Sequence, residues 1–334
     1  MRISSDGRNY LQPMEVRAGV PFPGQLYEQP SNTDIFTTSL DYTYPFSKEV
    51  NVQVGGRFSD ADLDNDLRSF DEFTPGVFEP NLQQSNHYLF EETIWAGYAK
   101  LNWKVKKWAG TAGLRYEDSQ SKGYSVTLDS AQERHIGKLF PSASLSREIT
   151  SKIGATMAYS YRIDRPYYGD LNPFVYYLDP YTYEQGNPRL LPSLTHSSKF
   201  SLSYENQPFF NVEYKYTNEA MVEVTEQNDD TGETYLTKVN LESFKVINIS
   251  LFFPLDFIPK VTGYGGFIAN HGSYDSPFLG ERLHSRPCRP ALAFAGWAWA
   301  ARSGMFCSAL LYFIDIQYFM IETVLLKPFP ETFK

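Results

Sequence analysis

Hydrophobicity alternates residue by residue over most of this chain, and that period of two constrains its fold more than any other feature. Within 153–163 the odd positions are apolar or aromatic, whereas the even positions are mainly small or polar. A similar alternation runs through 36–46 and 210–224. Successive side chains of a β-strand point to opposite faces. The pattern therefore predicts strands that have one apolar face and one polar face.

Ten segments carry this pattern, and turn residues separate them. They are residues 33–45, 49–59, 86–105, 108–118, 138–148, 152–164, 194–206, 209–226, 233–254 and 260–274. The connections that follow the odd-numbered strands are short, whereas long connections are predicted at 60–85, 119–137 and 165–193. The first long connection is acidic, and the short turns are rich in lysine. Short turns on one rim and long loops on the other are typical of bacterial outer-membrane barrels.

The alternative to a barrel is a soluble antiparallel β-sandwich binding module, whose strands also alternate. Sandwich strands usually have about 5 to 6 residues, whereas the segments 86–105 and 233–254 are far longer. A membrane barrel needs about 10 alternating residues per strand. Aromatic residues make up 16% of the chain, and several stand at strand ends, as at membrane interfaces. We therefore predict an all-β fold, an antiparallel transmembrane β-barrel segment of about ten strands in contact with outer-membrane lipid.

Composition and motifs exclude several other functions. The net charge of −9 argues against a nucleic-acid partner, because phosphate binding requires a basic surface. The two cysteines are too few for a disulfide framework, and the five histidines show no metal-ligand spacing. His196 is followed by serines, but adjacent residues of a strand point to opposite faces, which disfavours a catalytic pair. We expect no catalytic residues, no enzymatic activity and no cofactor.

One passage between two predicted strands is distinctive. Residues 162–174 read R-I-D-R-P-Y-Y-G-D-L-N-P-F, and residues 186–192 read G-N-P-R-L-L-P. Its prolines restrict the backbone and its tyrosines can pack, which indicates a structured loop. Together with D-Y-T-Y-P at 41–45, A-G-L-R-Y-E at 112–117 and L-F-P-S-A-S-L at 139–145, it resembles the TonB-dependent outer-membrane receptor family, over about residues 30–280.

That resemblance implies a receptor that takes up a scarce ligand, such as a siderophore complex, cobalamin or an oligosaccharide. It also implies a plug domain and TonB as partners, and a barrel of the 22-strand type. The sequence shows no plug, TonB-binding segment or signal peptide, so we expect a truncated receptor fragment. A standalone structural or adhesive outer-membrane barrel is the alternative.

The predicted organisation has three parts. Residues 1–32 form a lead-in, residues 33–280 form the barrel segment, and residues 285–334 form an atypical tail. The tail lacks the polar face of the earlier strands. A membrane-associated hairpin or helix is one interpretation, although Arg302 and Asp315 would be costly in hydrocarbon. A reading frame that is shifted beyond about residue 284 is favoured, because the pattern changes abruptly there.

Charged residues supply the candidate sites. Arg115, Arg162, Asp164 and Arg165 are candidates for ligand contact from the polar face or from the root of the long loop. Polar lining is also the default for any barrel interior.

A weak candidate for a calcium site is the run Asp60, Asp62, Asp64 and Asp66, which spaces carboxylates as the start of a calcium loop does. Position six of that run is Asn65 rather than glycine, and position twelve is Asp71 rather than glutamate. A solvated acidic loop is the favoured interpretation.

Overall fold

A computed structural model describes residues 2–12, 14–16, 20–179, 181–228, 232–254, 261–278, 281–284, 291–298 and 309–315. Nearly all of these residues lie in β-strands, as the alternation predicts. In this part of the chain no helix is long and apolar enough to cross a membrane.

The first half of the chain forms a series of long hairpins. Its strands are β1 Arg2–Leu11, β2 Met14–Val16, β3 Val20–Phe22, β4 Gly24–Pro45, β5 Val50–Thr74, β6 Val77–Val105, β7 Trp108–Ser125, β8 Ser130–Glu148 and β9 Ile153–Asp164. Apart from the small β2–β3 pair, each strand pairs antiparallel with its neighbour along the sheet.

The second half begins with the structured loop and then returns to the sheet. The loop contains α1 Tyr168–Leu171, β10 Val175–Asp179 and β11 Thr182–Gln185. The later strands are β12 Ser193–Tyr204, β13 Gln207–Asn228, β14 Glu233–Pro254, β15 Val261–Phe278, β16 Glu281–His284, β17 Ala291–Ala298 and β18 Ala309–Asp315. Tight turns such as Glu205–Asn206, where both residues have positive φ, connect the hairpins on the short-turn side.

The wall strands form one continuous sheet. Its order is β1-β4-β5-β6-β7-β8-β9-β12-β13-β14-β15-β17-β18, and β16 pairs with β15 beside this path. Within the described residues the end strands β1 and β18 pair with no further strand on their outer edges. One continuous sheet of such long strands is not a sandwich of two packed sheets, so the sandwich alternative is wrong.

The two faces of the sheet differ in chemistry, and the pairing register shows which residues share a face. Met157 pairs with Phe200 and Leu145, on a face whose large apolar side chains are exposed. Ser160 pairs with Ser142 and Ser197, on the opposite face. We call these the apolar face and the loop-covered face, because the 165–192 loop lies against the second.

All ten predicted strands are present, but several are longer than predicted. Residues 60–85 and 119–137 are not long loops. They are paired extensions of β5, β6, β7 and β8, closed by short turns after Thr74 and Ser125. The loop prediction was wrong there because the strands stay paired after the side of the apolar face has become polar, as at Asp60, Asp62 and Asp64. The 165–193 connection is a true loop, and the lead-in 1–32 contains β1 and the start of β4.

Two strands lie in the atypical tail. β17 pairs with β15, and β18 pairs with β17, so these segments extend the sheet. Residues 285–290, 299–308 and 316–334 lie outside the described part of the chain. The three-part division and the shifted reading frame therefore stay predictions.

Candidate functional site

A small core fixes the 165–192 loop against the wall. Tyr88 and Phe90 of β6 and Leu171 and Leu190 of the loop are all at most 4% exposed and pack together. The Phe90 and Tyr168 rings lie 4.9 Å apart between centroids. Burial raises the pKa of the Tyr168 hydroxyl above its ordinary value, and the Glu92 carboxylate adds to this effect. The loop thus has its own apolar contact with the sheet.

Ion pairs hold the root of the loop. Arg165 Nη2 donates to Glu117 Oε2 at 2.9 Å, and Arg115 Nε donates to Glu117 Oε1 at 2.6 Å. Arg165 Nε lies 3.6 Å from Glu92 Oε1, which is an ion-pair distance but too long for a hydrogen bond. These side chains are largely shielded from solvent, where an unpaired charge would be costly. Glu117 therefore joins Arg165 at the loop root to Arg115 on β7.

The middle of the loop is fastened to β14. Lys238 Nζ lies 2.9 Å from both carboxylate oxygens of Asp170. β11 pairs parallel with β14 over Thr182–Glu184, and the Tyr183 and Tyr235 rings stack with centroids 5.4 Å apart. Asn86 Nδ2 also donates to Asn172 Oδ1 at 2.8 Å. Contacts at its root, middle and end hold the loop in a fixed position against the wall.

Two backbone segments of the loop approach each other closely. A Cβ atom at Gly186 would collide with the carbonyl oxygen of Asn172, so only glycine fits there. The glycine of the G-N-P sequence is thus explained by the close approach of this turn to the Asn172 backbone.

A cavity of about 710 Å³ lies between the loop and two parts of the wall. β1, β4 and β5 supply amide and hydroxyl side chains, including Asn9, Gln29 and Asn65. The loop supplies Tyr176 and other aromatic and polar groups. β13 supplies Glu223, and β14 supplies further side chains. A concave site with aromatic rings and several placed polar groups is suited to a small polar ligand.

The structure brings together two of the four predicted ligand residues. Arg115 and Arg165 meet through Glu117, as the root of the loop requires. Arg162 and Asp164 are exposed on β9, and neither has an ion-pair partner among the described residues. None of the four lines the large cavity. Direct ligand contact by these residues stays a prediction.

The four aspartates lie along β5 rather than in a loop. Their register places them on the side of the apolar face, beyond its apolar band. Asp60 accepts a hydrogen bond from Thr93 Oγ1 at 2.8 Å, and Asp64 contacts His87 Nε2 at 2.8 Å. Alternate residues of a strand are about 7 Å apart, so they do not converge on one point. In the described part of the chain, no three His, Cys, Asp or Glu side chains are placed to hold a metal ion.

Several residues of the site were not identified from the sequence. Glu92, Asn86 and Lys238 lie on strands distant in sequence from the loop, and only the strand register brings them to it. Asp170 and Asn172 lie within the distinctive 162–174 passage, which was the one available signal.

Comparison with known proteins places this geometry in context. The model of a family described as the outer membrane protein beta-barrel family matches residues 8–286. A search of curated proteins finds no match.

Solved structures of low sequence identity share the fold. The copper transporter OprC matches with a TM-score of 0.59 and 10% identity, over 88% of this chain and 44% of that chain. The ferric yersiniabactin uptake receptor FyuA from Yersinia pestis matches with a TM-score of 0.52 and 11% identity, over 86% and 43%. The unliganded ferric citrate transporter FecA matches with a TM-score of 0.51 and 11% identity, over 88% and 42%. The chain thus spans less than half the length of these structures.

Proposed function

The chain belongs to the outer membrane protein beta-barrel family, and from this membership we propose that it forms part of the wall of a receptor for a small polar ligand. The predicted outer-membrane location and the resemblance to TonB-dependent receptor barrels are confirmed. The receptor acts by binding and transport rather than by catalysis. Its transport is driven through a plug domain and TonB.

The cavity beside the fixed loop is the observation that carries this proposal. It opens on the loop-covered face, and it contains both aromatic rings and hydrogen-bonding side chains. Barrel interiors are polar by default. A loop that carries aromatic rings and is held in place by ion pairs is an additional feature, which polar lining alone does not explain. Similarity to proteins called receptors and transporters agrees with a binding role.

In the described residues the sheet does not close on itself, which supports a role as one arc of a larger barrel. An unpaired strand edge in hydrocarbon leaves backbone groups without hydrogen bonds, which is costly. We propose that the edges of β1 and β18 pair with further wall strands in the assembled receptor. A standalone barrel would instead require these two strands to pair with each other.

Uptake by whole cells tests the proposed function. Cells with and without the gene are given radiolabelled ferric citrate, cobalamin or neutral oligosaccharides, in the presence and absence of TonB. We expect at least one of these compounds to accumulate only when both the gene and TonB are present. Equal accumulation of every compound with and without the gene would contradict the proposal.

A further inference from the structure

We infer that the cavity beside the loop selects an uncharged, polyhydroxylated ligand of the oligosaccharide class and disfavours anionic metal complexes. This inference rests on the proposed receptor function and specifies its ligand. It follows from the charge, the hydrogen-bonding groups and the aromatic surface of the cavity.

The charges of the cavity disfavour anions. Lys238 Nζ is the single ammonium group among the described residues that line it, and it is already paired with both oxygens of Asp170 at 2.9 Å. Two further carboxylates, Glu184 and Glu223, are exposed at the cavity and have no ion-pair partner among the described residues. Like charges that are brought together without a counter-ion repel, and this acts against the binding of an anionic ligand.

The uncharged groups of the cavity match hydroxyl groups. A hydroxyl both donates and accepts hydrogen bonds, and a side-chain amide also offers both functions. Asn9, Gln29, Asn65 and Gln185 bring such amides to the cavity from four different strands. Two hydrogen bonds that these amides make within the protein are long, at 3.4 Å for Gln29 Nε2 to Asn65 Oδ1 and 3.3 Å for Asn9 Nδ2 to Tyr176 Oη. Weak internal hydrogen bonds are readily exchanged for stronger ones to a ligand.

The aromatic surface is held in place before a ligand arrives. Tyr27 is 1% exposed, and its ring lies 5.3 Å from the Tyr176 ring and 6.4 Å from the Phe174 ring, between centroids. Phe174 and Tyr176 line the cavity, so their rings present a fixed apolar surface. The CH face of a sugar ring can pack on such a surface while its hydroxyls reach the amides. A preformed surface reduces the entropy cost of binding.

Binding to native membranes tests the ligand class. Outer-membrane vesicles from cells that carry the gene are incubated with labelled neutral oligosaccharides of glucose, mannose, galactose and xylose, and separately with labelled ferric citrate. Vesicles from cells without the gene give the background. We expect saturable, gene-dependent binding of at least one neutral oligosaccharide and none of ferric citrate.

Matched variants locate the binding in the cavity. Tyr176→Ala should weaken oligosaccharide binding about tenfold, because it removes the ring. Tyr176→Phe keeps the ring and should retain binding, which separates loss of the surface from misfolding. Tyr214→Ala, on the apolar face, should have no effect. The double variant Glu184→Gln and Glu223→Gln should leave neutral ligands bound and should increase ferric citrate binding.

Two other outcomes distinguish failure of this inference from failure of the proposed function. If ferric citrate binds in a gene-dependent and Tyr176-dependent way and no oligosaccharide does, the ligand class is wrong and the receptor function stands. If none of these probes shows gene-dependent binding, the oligosaccharide assignment is overturned, and the uptake experiment above, which includes cobalamin, decides separately whether the receptor function stands.

Discussion

At the scale of single residues, Glu117 is central because its two carboxylate oxygens serve two different arginines. Arg115 lies on the same strand, whereas Arg165 is the first residue of the loop. The Glu117 side chain is only 11% exposed, so water can hydrate the remaining charges only slightly if one partner of the ion pairs is lost. Such an arrangement stabilises the loop only while all members are present.

We predict that Glu117→Ala destabilises the protein by about 3 kcal/mol, because it leaves two guanidinium groups shielded from solvent without their shared carboxylate. Unfolding by urea in lipid vesicles measures this loss. Protease cleavage within 165–192 should also become faster as the root of the loop is released.

Arg162→Ala is the matched control for this prediction. Arg162 is exposed and makes no ion pair in the described part of the chain, so its removal should change stability by less than about 0.5 kcal/mol. Equal effects of the two substitutions would show that solvent screens the Glu117 pairs.

The same residues show what could be predicted from the sequence. Arg165 was identified because the passage around it is distinctive, and its place at the root of the loop was predicted. Glu92 was not identified, since it lies 73 positions earlier and only the register of β6 brings it to the loop. Long-range register is not encoded in any short motif.

At the scale of elements, the alternation predicted the faces of the strands better than it predicted their ends. On β9 the odd positions form the apolar face, and Met157 there is 63% exposed. The ends were predicted too early at residues 59 and 118, because the strands continue into segments in which the side of the apolar face is polar. The exposed apolar face of a strand requires contact with the hydrocarbon of the membrane, so this face ends where the hydrocarbon layer ends. The backbone hydrogen bonds between the strands continue beyond that point.

We predict that Met157→Arg lowers the stability of the barrel by about 2 to 4 kcal/mol, because it places a charge in the apolar band. Folding titrations in lipid vesicles measure the change. Ser160→Arg, on the loop-covered face of the same strand, should cost much less. A larger loss for Ser160→Arg than for Met157→Arg would mean that the two faces are assigned the wrong way round.

At the scale of the whole molecule, the two rims of the sheet differ in structure and charge. One rim consists of short turns that contain lysines such as Lys48 and Lys152. The other carries the extended β5–β6 hairpin, whose strands hold the acidic run, and the anchored loop. In bacterial outer-membrane barrels the short turns face the periplasm and the longer segments face the exterior.

This difference predicts the orientation of the chain in the membrane. Glu79→Cys, near the exposed tip of the β5–β6 hairpin, should react with a membrane-impermeant maleimide on intact cells. Lys48→Cys, in a short turn on the opposite rim, should react only after the outer membrane is made permeable. The unsubstituted chain, which contains Cys288 and Cys307, gives the background. If Lys48→Cys reacted on intact cells and Glu79→Cys did not, the cavity would open toward the periplasm, and capture of an external ligand there would be ruled out.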